Sequence, residues 1–270
     1  MSHTIGKRLR VRTVFISDVH LGFRGCQAQY LLDFLNNVEM DRLVLVGDIV
    51  DLWSLKKSLY WPAAHQEVLR TIFRLSKTGT EVVYVPGNHD EAAREFCGMA
   101  FGDIAIHRQL VHETADGKRL LVMHGDEFDG AVEFSGWLKH FGSFMYDRMV
   151  DIARVVHFLR RRFGRPYWSL ASWIKHAVPN AMTYILAFEK AAAQQAAQRG
   201  YDGVVCGHIH RPELRTVDGI LYCNDGDWVE HCTALVEDRN GRLAILRWTE
   251  HAVLGAAPAL GTSVVLDPAA

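Results

Sequence analysis

Net charge is almost absent from this sequence: 30 Lys and Arg meet 31 Asp and Glu, a formal charge of −1 over 270 residues. A general nucleic-acid binder needs a basic excess to neutralise phosphates, so no nucleic-acid partner is expected. Thiols are few and scattered. Cys26, Cys97, Cys206, Cys223 and Cys232 form no Cys-x-x-Cys pair, which predicts neither a disulfide framework nor a zinc–thiolate site and suits a reducing compartment. No stretch approaches the roughly 18 unbroken apolar residues that a membrane-spanning helix needs. Lys7-Arg8-Leu9-Arg10 runs straight into a strand-like segment with no apolar leader core, so a cytoplasmic location is expected. Internal repeats are lacking, and low complexity is confined to an Ala/Gln run at 191–197. What remains is a globular composition, 49% hydrophobic and 23% charged, with enough apolar residue for a large core.

Short apolar runs recur along the chain: Val14-Phe15-Ile16, Leu43–Val46, Val82–Val85, Leu120–Met123 and Val204-Val205-Cys206. They are continuously apolar rather than alternating, which predicts strands covered on both faces. Between them, residues 27–37 and 64–76 carry apolar residues at helical spacing, and Gly79 follows the second as a stop. A further helix is expected at 180–199, ending at Gly200. Alternating strands and helices predict an α/β sandwich with helices outside. The runs at 220–222, 233–236 and 243–248 lie close together around Asp-Gly and Asn-Gly turns and read as hairpin strands. The whole chain, 1–270, reads as one domain whose Ala/Gly/Pro-rich tail after about 252 is loosely ordered.

Residues 131–190 differ from the rest. Nine Lys/Arg stand there against four Asp/Glu, a net of +5, and Trp137, Leu138, Phe141, Met145, Met149, Ile152, Val156 and Leu159 recur at helical spacing. This predicts a helical insertion that is both apolar and basic. Its aromatic stripe fits either helix-on-helix packing or an acyl-binding surface. Its Arg160–Arg162 run fits either a solvated face or contact with phosphate or an anionic membrane surface.

Each of five predicted strands is followed at once by metal-type ligands. Asp18 and His20 follow the first, Asp48 the second, Asn88, His89 and Asp90 the third, His124 the fourth, and His208 and His210 the fifth. In open α/β sheets ligands bind at the carboxyl ends of the strands, so five strands would deliver these groups to one edge. Carboxylate, imidazole and amide donors without thiolate suit Mn²⁺, Fe²⁺, Zn²⁺ and similar ions. Seven donors exceed one tetrahedral ion and suffice for two if a carboxylate bridges; two such ions can clamp a phosphate.

The ordered blocks Asp-x-His, Gly-Asp-x-x-Asp, Gly-Asn-His-Asp, His-Gly and Gly-His-x-His span residues 18–210. They resemble the calcineurin-like metallophosphoesterase superfamily. The resemblance implies a four-layer sandwich of helices around two mixed sheets, with a helical cap. It implies Asp18, His20 and His210 on one metal, Asn88, His124 and His208 on a second, and Asp48 bridging. His89 would stabilise the transferring phosphoryl group or protonate the leaving group, with Asp90 orienting it; Asp51 and Asp126 would fix ligands or backbone. The opening Ile-Ser-Asp-Val-His-Leu-Gly and the 131–190 insertion are similar to the branch of bacterial UDP-2,3-diacylglucosamine diphosphatases. These are peripheral membrane enzymes of lipid A synthesis, typically using Mn²⁺. That likeness implies a phosphorylated glycolipid or nucleotide substrate, with Arg161 and Lys175 on phosphate and Ser172 on sugar or phosphate. One departure stands out: the best-known members of that branch carry Arg where this chain has His89.

The residues leave two other readings open: the same chemistry on another phosphoester, or a non-catalytic scaffold on the same fold. Scaffolds typically lose ligands, and none of the seven is missing. The nine histidines outside the blocks are read as surface or core residues. Asn224, Asp225 and Asp227 are read as shaping their loop, and Cys206 as a small buried hydrophobe.

Overall fold

The computed structural model describes residues 9–130 and 179–249. Among the described residues twelve strands form two sheets. The first strand, β1 (Leu9–Ile16), pairs in parallel with β2 (Val38–Val46), which pairs in parallel with β3 (Glu81–Val85). Beyond β3 lie β5 (Ile104–Ile106) and the edge strand β4 (Ala100–Phe101). On the other side β1 meets β11 (Thr233–Glu237) and then β12 (Leu243–Arg247), both antiparallel. The second sheet runs β6 (Leu110–Glu113), β7 (Arg119–Val122), β8 (Gly203–Cys206), β10 (Ile220–Asn224), β9 (Glu213–Val217), with β7, β8 and β10 parallel.

Helices α1 (Ala28–Asn37) and α3 (Ala63–Lys77) cover the outer face of the first sheet. The short α2 (Leu52–Lys57) lies between them in sequence, and α4 (Pro179–Gln198) covers the second sheet. The continuous apolar runs now have their explanation. In β2, Leu43 and Leu45 join the core under the helices, while Val44 and Val46 join the core between the sheets. In β7, Leu121 faces α4 while Leu120 and Val122 meet Phe15 and Val205 between the sheets. Both faces of each central strand are dry, and each fully buried Val, Leu or Phe contributes about 1.5–3 kcal/mol. The four layers anticipated above are therefore present. Among the described residues no helix is long and apolar enough to cross a membrane. Most of the insertion expected at 131–190, and all of the tail after about 252, lie outside the described residues.

Away from the ligand-bearing strand ends, a polar knot joins the sheets. Glu237 on β11 accepts from Arg12 Nη1 at 2.6 and 2.8 Å and from the Ala115 N–H at 2.7 Å. Its Oε2 lies 2.8 Å from His112 Nε2 on β6. Burial alone would raise the Glu237 carboxyl, but the contacts from His112, the Ala115 N–H and Thr13 overcome it and bring the value down to about 2. A carboxyl held below its unfolded value stabilises the fold above that unfolded value and loses the contribution as pH falls towards the folded one. Glu237→Gln should therefore cost on the order of 3 kcal/mol in urea unfolding at pH 7. The deficit against the parent protein should shrink between about pH 4.5 and pH 2. An equal deficit at pH 7 and pH 2.5 would show that the carboxylate charge is not what holds the knot.

Candidate metal centre

Because β1, β2 and β3 are parallel in one sheet and β7 and β8 in the other, their carboxyl ends carry the five ligand blocks to one rim. His210 Nε2 lies 3.1 Å from Asp18 Oδ1, and His20 Nε2 lies 3.7 Å from the same oxygen and 3.3 Å from His210 Nε2. Asp48 Oδ2 lies 3.4 Å from His124 Nε2 and 3.9 Å from His20 Nε2. Donor atoms of Asp18, His20 and His210 all fall within 4.8 Å of one another, as do those of Asp18, Asp48 and His124. Two neighbouring nests thus share the Asp18 side chain and meet across Asp48.

The backbone is bent to reach this arrangement. Asp18, His20, Asp48, His208 and His210 all have positive φ, from 50° to 70°. Left-handed geometry costs a non-glycine residue on the order of 1–3 kcal/mol and persists where the surroundings over-determine it. Here Asp18 N–H donates to Gly47 O, His20 N–H to Asp48 O and Trp228 N–H to Asp18 O. Glycine is required where the strands' ends crowd. A Cβ at Gly47, itself at φ 84°, would stand 2.3 Å from His124 Nδ1, and one at Gly87 would stand 2.3 Å from Asp48 Oδ1.

The electrostatics favour cations. Burial would push the carboxyls of Asp18 and Asp48 up, yet the facing imidazoles of His210, His20 and His124 hold both well below the usual carboxylate range. Burial would push His20 down, yet Asp18, Asp51 and Asp48 lift it to about 10. A nest that draws a proton this strongly attracts positive charge in general. His124 donates Nδ1–H to Val46 O at 2.8 Å, which turns Nε2 towards Asp48. That Nε2 and Asn88 Oδ1 are buried without a hydrogen-bond partner, as befits donor atoms meant for an ion. The described residues therefore fit hard or borderline divalent cations.

His208 and the His89 surroundings differ from the simplest expectation. The His208 N–H donates to Asp18 Oδ2 at 2.9 Å, and its ring stands 5.2 Å from that of His124, but its Nε2 lies 2.9 Å from Asp129 Oδ1. Asp129 also accepts from Tyr184 OH at 2.7 Å. Nothing in the sequence singled it out, although it falls five residues after His124. His89 Nε2 points to Asp48 Oδ2, 4.0 Å away, and the His89 N–H donates to Asp48 Oδ1 at 2.8 Å. Asp90, expected to orient His89, does not touch its ring. Both its oxygens accept backbone N–H groups instead, from Gly87 at 2.6 Å, Ile49 at 2.7 Å, Asp48 at 3.2 Å and Val50 at 3.3 Å. The carboxylate beside the His89 ring is that of Asp51, whose Oδ1 lies 3.0 Å from Nδ1. Asp51 also caps α2 through the Ser54 N–H and lies 3.3 Å from His20 Nδ1. The indole of Trp53, on the first turn of α2, lies 4.2 Å from the His89 ring, centroid to centroid.

Around these groups the remaining polar residues hold loops. Asp126 pairs with Arg94 at 2.6 Å, and Arg94 reaches Pro86 O just before Gly87. Asn224 donates to Gly207 O at 2.7 Å, Asp225 accepts from Ser17 Oγ at 2.5 Å, and Asp227 accepts from the Val229 N–H at 2.7 Å. Of the other histidines, His65 accepts from the Gly22 N–H and His231 Nδ1 lies against Asp227. Arg161, Ser172 and Lys175 lie outside the described residues.

A family model described as calcineurin-like phosphoesterase matches residues 11–212. The chain is similar to a UDP-2,3-diacylglucosamine hydrolase of Xanthomonas campestris pv. campestris, 26% identical over 256 residues, covering 85% of this chain and 96% of the relative. It is similar to a protein of the same name from Chromohalobacter salexigens, 24% identical over 224 residues, with 77% and 84% covered. Among solved structures, a hypothetical protein from Pyrococcus horikoshii aligns with a TM-score of 0.48 at 12% identity, covering 93% of this chain and 95% of that one.

Proposed function

Since the chain belongs to the calcineurin-like phosphoesterase family and is a metal-dependent hydrolase, we propose that it cleaves the pyrophosphate of UDP-2,3-diacylglucosamine, giving UMP and 2,3-diacylglucosamine 1-phosphate. The observation that carries the chemistry is the meeting of Asp18, His20, Asp48, His124 and His210 at one rim. The substrate reading is supported by relatives bearing that name that match over most of their own length. The substrate would be drawn from the cytoplasmic face of the inner membrane.

In this reading Asp18, His20 and His210 hold one cation, Asn88, His124 and His208 a second, and Asp48 lies between. When bound, two divalent ions, manganese by preference, polarise the phosphoryl oxygens and favour water in its deprotonated form. The chain's own groups do the rest. The oxygen of water bonds to phosphorus as the bridging P–O bond breaks, and the leaving phosphate oxygen takes a proton. His89, whose Nε2 lies 4.0 Å from Asp48 Oδ2 and whose Nδ1 lies 3.0 Å from the Asp51 carboxylate, would supply it. Asp90 acts one step back by tying Gly87 to residues 48–50, which fixes Asp48 relative to Asn88 and His89. Arg161 and Lys175 would bind phosphate, Ser172 the sugar or phosphate, and the 131–190 segment the acyl chains.

A manganese-supplemented assay tests this. UMP release from UDP-2,3-diacylglucosamine should exceed hydrolysis of bis(p-nitrophenyl) phosphate at least about tenfold in kcat/KM, through binding energy from the parts of the lipid remote from the phosphates. His89→Ala should lower kcat on the lipid nucleotide about 100- to 10,000-fold, the usual worth of a proton donor. Turnover of the simple diester with none of the lipid nucleotide would move the protein to another phosphoester.

A further inference from the structure

His208 is held by side chains from the two elements that flank residues 131–178: the helical turn Asp126–Gly130 before them and α4 after them. Its backbone N–H donates to Asp18 Oδ2 at 2.9 Å, which fixes the root of the side chain at φ 70°. The ring is then held at its tip and on its face. Nε2 lies 2.9 Å from Asp129 Oδ1. The same Oδ1 accepts from Tyr184 OH on α4 at 2.7 Å. Burial and the Asp129 charge push the Tyr184 hydroxyl up, so it stays a donor. One turn further along α4, Phe188 stacks on the imidazole, with ring centroids 6.0 Å apart and planes 28° apart. Phe188 is fully buried and tightly packed. Phe128 meets its ring at 5.6 Å, and a Cβ at Gly125 would stand 2.8 Å from its Cζ. Burial does not force the Asp129 side chain, 41% exposed, to face the imidazole.

We propose that Asp129 is the positioning residue of the second cation site: it accepts a hydrogen bond from His208 Nε2–H, which leaves Nδ1 as the nitrogen for the cation, and Tyr184 holds Asp129 in that role. A neutral imidazole carries a lone pair on only one of its two nitrogens. Where a carboxylate takes the N–H of one, the other is fixed as the ligand atom and becomes a better donor. Among the described residues Asp129 is the partner of Nε2, and Nδ1 has no hydrogen-bond partner. His124 shows the same division of labour with a carbonyl in place of the carboxylate: its Nδ1–H goes to Val46 O, and Nε2 is left without a partner. Asp129 and Tyr184 belong to the second site alone, since Asp18, His20 and His210, read as donors to the first cation, follow β1 and β8. If Asp129 instead stood in the cation's own place at Nε2, removing its carboxylate would have the opposite effect on binding. The role rests on the two-cation reading given above.

The test is Mn²⁺ binding by the full-length protein, measured by equilibrium dialysis without substrate. Wild type should bind two equivalents. Asp129→Ala should bind the second about 10- to 100-fold more weakly, the usual effect of removing a group that orients a metal ligand, and the first as wild type does. At a free Mn²⁺ concentration that fills both wild-type sites, electron paramagnetic resonance should show a spin-coupled pair in wild type and single ions in Asp129→Ala. Asp129→Asn keeps an acceptor for Nε2–H and should recover most of the lost affinity. Tyr184→Phe removes one hydrogen bond and keeps the ring, so it should weaken the second equivalent about fivefold. The metal-free melting temperature of Asp129→Ala should stay within about 4 °C of wild type. Wild-type affinity for both equivalents in Asp129→Ala overturns the proposal. Tighter binding does so too, and marks Asp129 as a rival of the cation for Nε2. Equal weakening of both equivalents with a larger fall in metal-free melting temperature overturns it as well, as the mark of a packing role. Wild type that binds fewer than two equivalents overturns it together with the two-cation reading. If the binding pattern is as expected and UDP-2,3-diacylglucosamine is left intact, Asp129 keeps its role and the substrate reading falls.

Discussion

Replacing Asp48 with asparagine is expected to lower phosphoester hydrolysis about a thousand-fold or more while leaving the fold in place. Asp48 Oδ2 is the oxygen that faces His124, His20 and His89 together, at 3.4, 3.9 and 4.0 Å. The amide keeps an acceptor for the His89 N–H, now bound at 2.8 Å to Oδ1, but removes the charge. Loss of a buried, partnered charge is worth about 3–5 kcal/mol, which in a transition state corresponds to about two to four orders of magnitude in rate. Stability without metal should fall modestly as well. Burial would raise the Asp48 carboxyl, but His124 and His20 hold it below its ordinary range, so its charge stabilises the fold at neutral pH. Asp90 is buried beside it, and burial together with the Asp48 charge holds the Asp90 carboxyl up, so relief of that repulsion offsets part of the loss. What should vanish is the stabilisation by manganese. A ligand at a hundred times its Kd stabilises the folded state by about 2.7 kcal/mol, and Asp48→Asn should gain less than about 1 kcal/mol at that concentration. Elemental analysis and thermal melts with and without Mn²⁺ decide it. A variant that keeps full activity and two metal equivalents would remove Asp48 from the centre.

The second large effect is expected from one methyl group. In Gly87→Ala the added Cβ would meet Asp48 Oδ1 at 2.3 Å, the Asp48 backbone nitrogen at 2.8 Å and His124 Cδ2 at 2.8 Å. None of the three is a free end. Oδ1 is held by the His89 N–H, the Asp48 nitrogen by Asp90, and the His124 ring by Val46 O. The clash must therefore be relieved by moving β2's end away from β3's end. Overpacking of this kind costs about 1–3 kcal/mol, and a shift of about 1 Å in a reacting group can cost about 100-fold in rate. Gly79→Ala is the control. Gly79 has φ 102° with nothing within 4 Å of its added Cβ, so strain there should lower stability without touching kcat. If Gly87→Ala kept wild-type kcat and metal content, the close approach of Gly87 to Asp48 would be irrelevant to the chemistry.

Much of this was legible in the sequence because it is local or periodic. Helices at 27–37, 64–76 and 180–199 carry their own spacing and stops, and they appear as Ala28–Asn37, Ala63–Lys77 and Pro179–Gln198. The doubly buried strands announce themselves as unbroken apolar runs. The short pieces do not: β4 has two residues, β5 three and α2 six, too few for a period to show. The carboxylate beside the His89 ring is hidden from the sequence for a related reason. Asp90 is the sequence neighbour, but consecutive residues in a turn send their side chains apart, and Asp90 turns back to the backbone of Gly87 and residues 48–50. Asp51 reaches the ring from another strand's end, as the cap of a helix too short to foresee.

The chain itself determined the kinds of donor, their order and their attachment to strand ends, because those depend on residue identity and on the reach of a few peptide units. Only the tertiary structure decided which donors face each other and which are taken by other partners. His208 lies against Asp129, 79 residues away, and Glu237 against His112, 125 residues away. Such pairings are fixed by how two sheets stack and by the strained turns at their ends, and distance along a chain carries no trace of either.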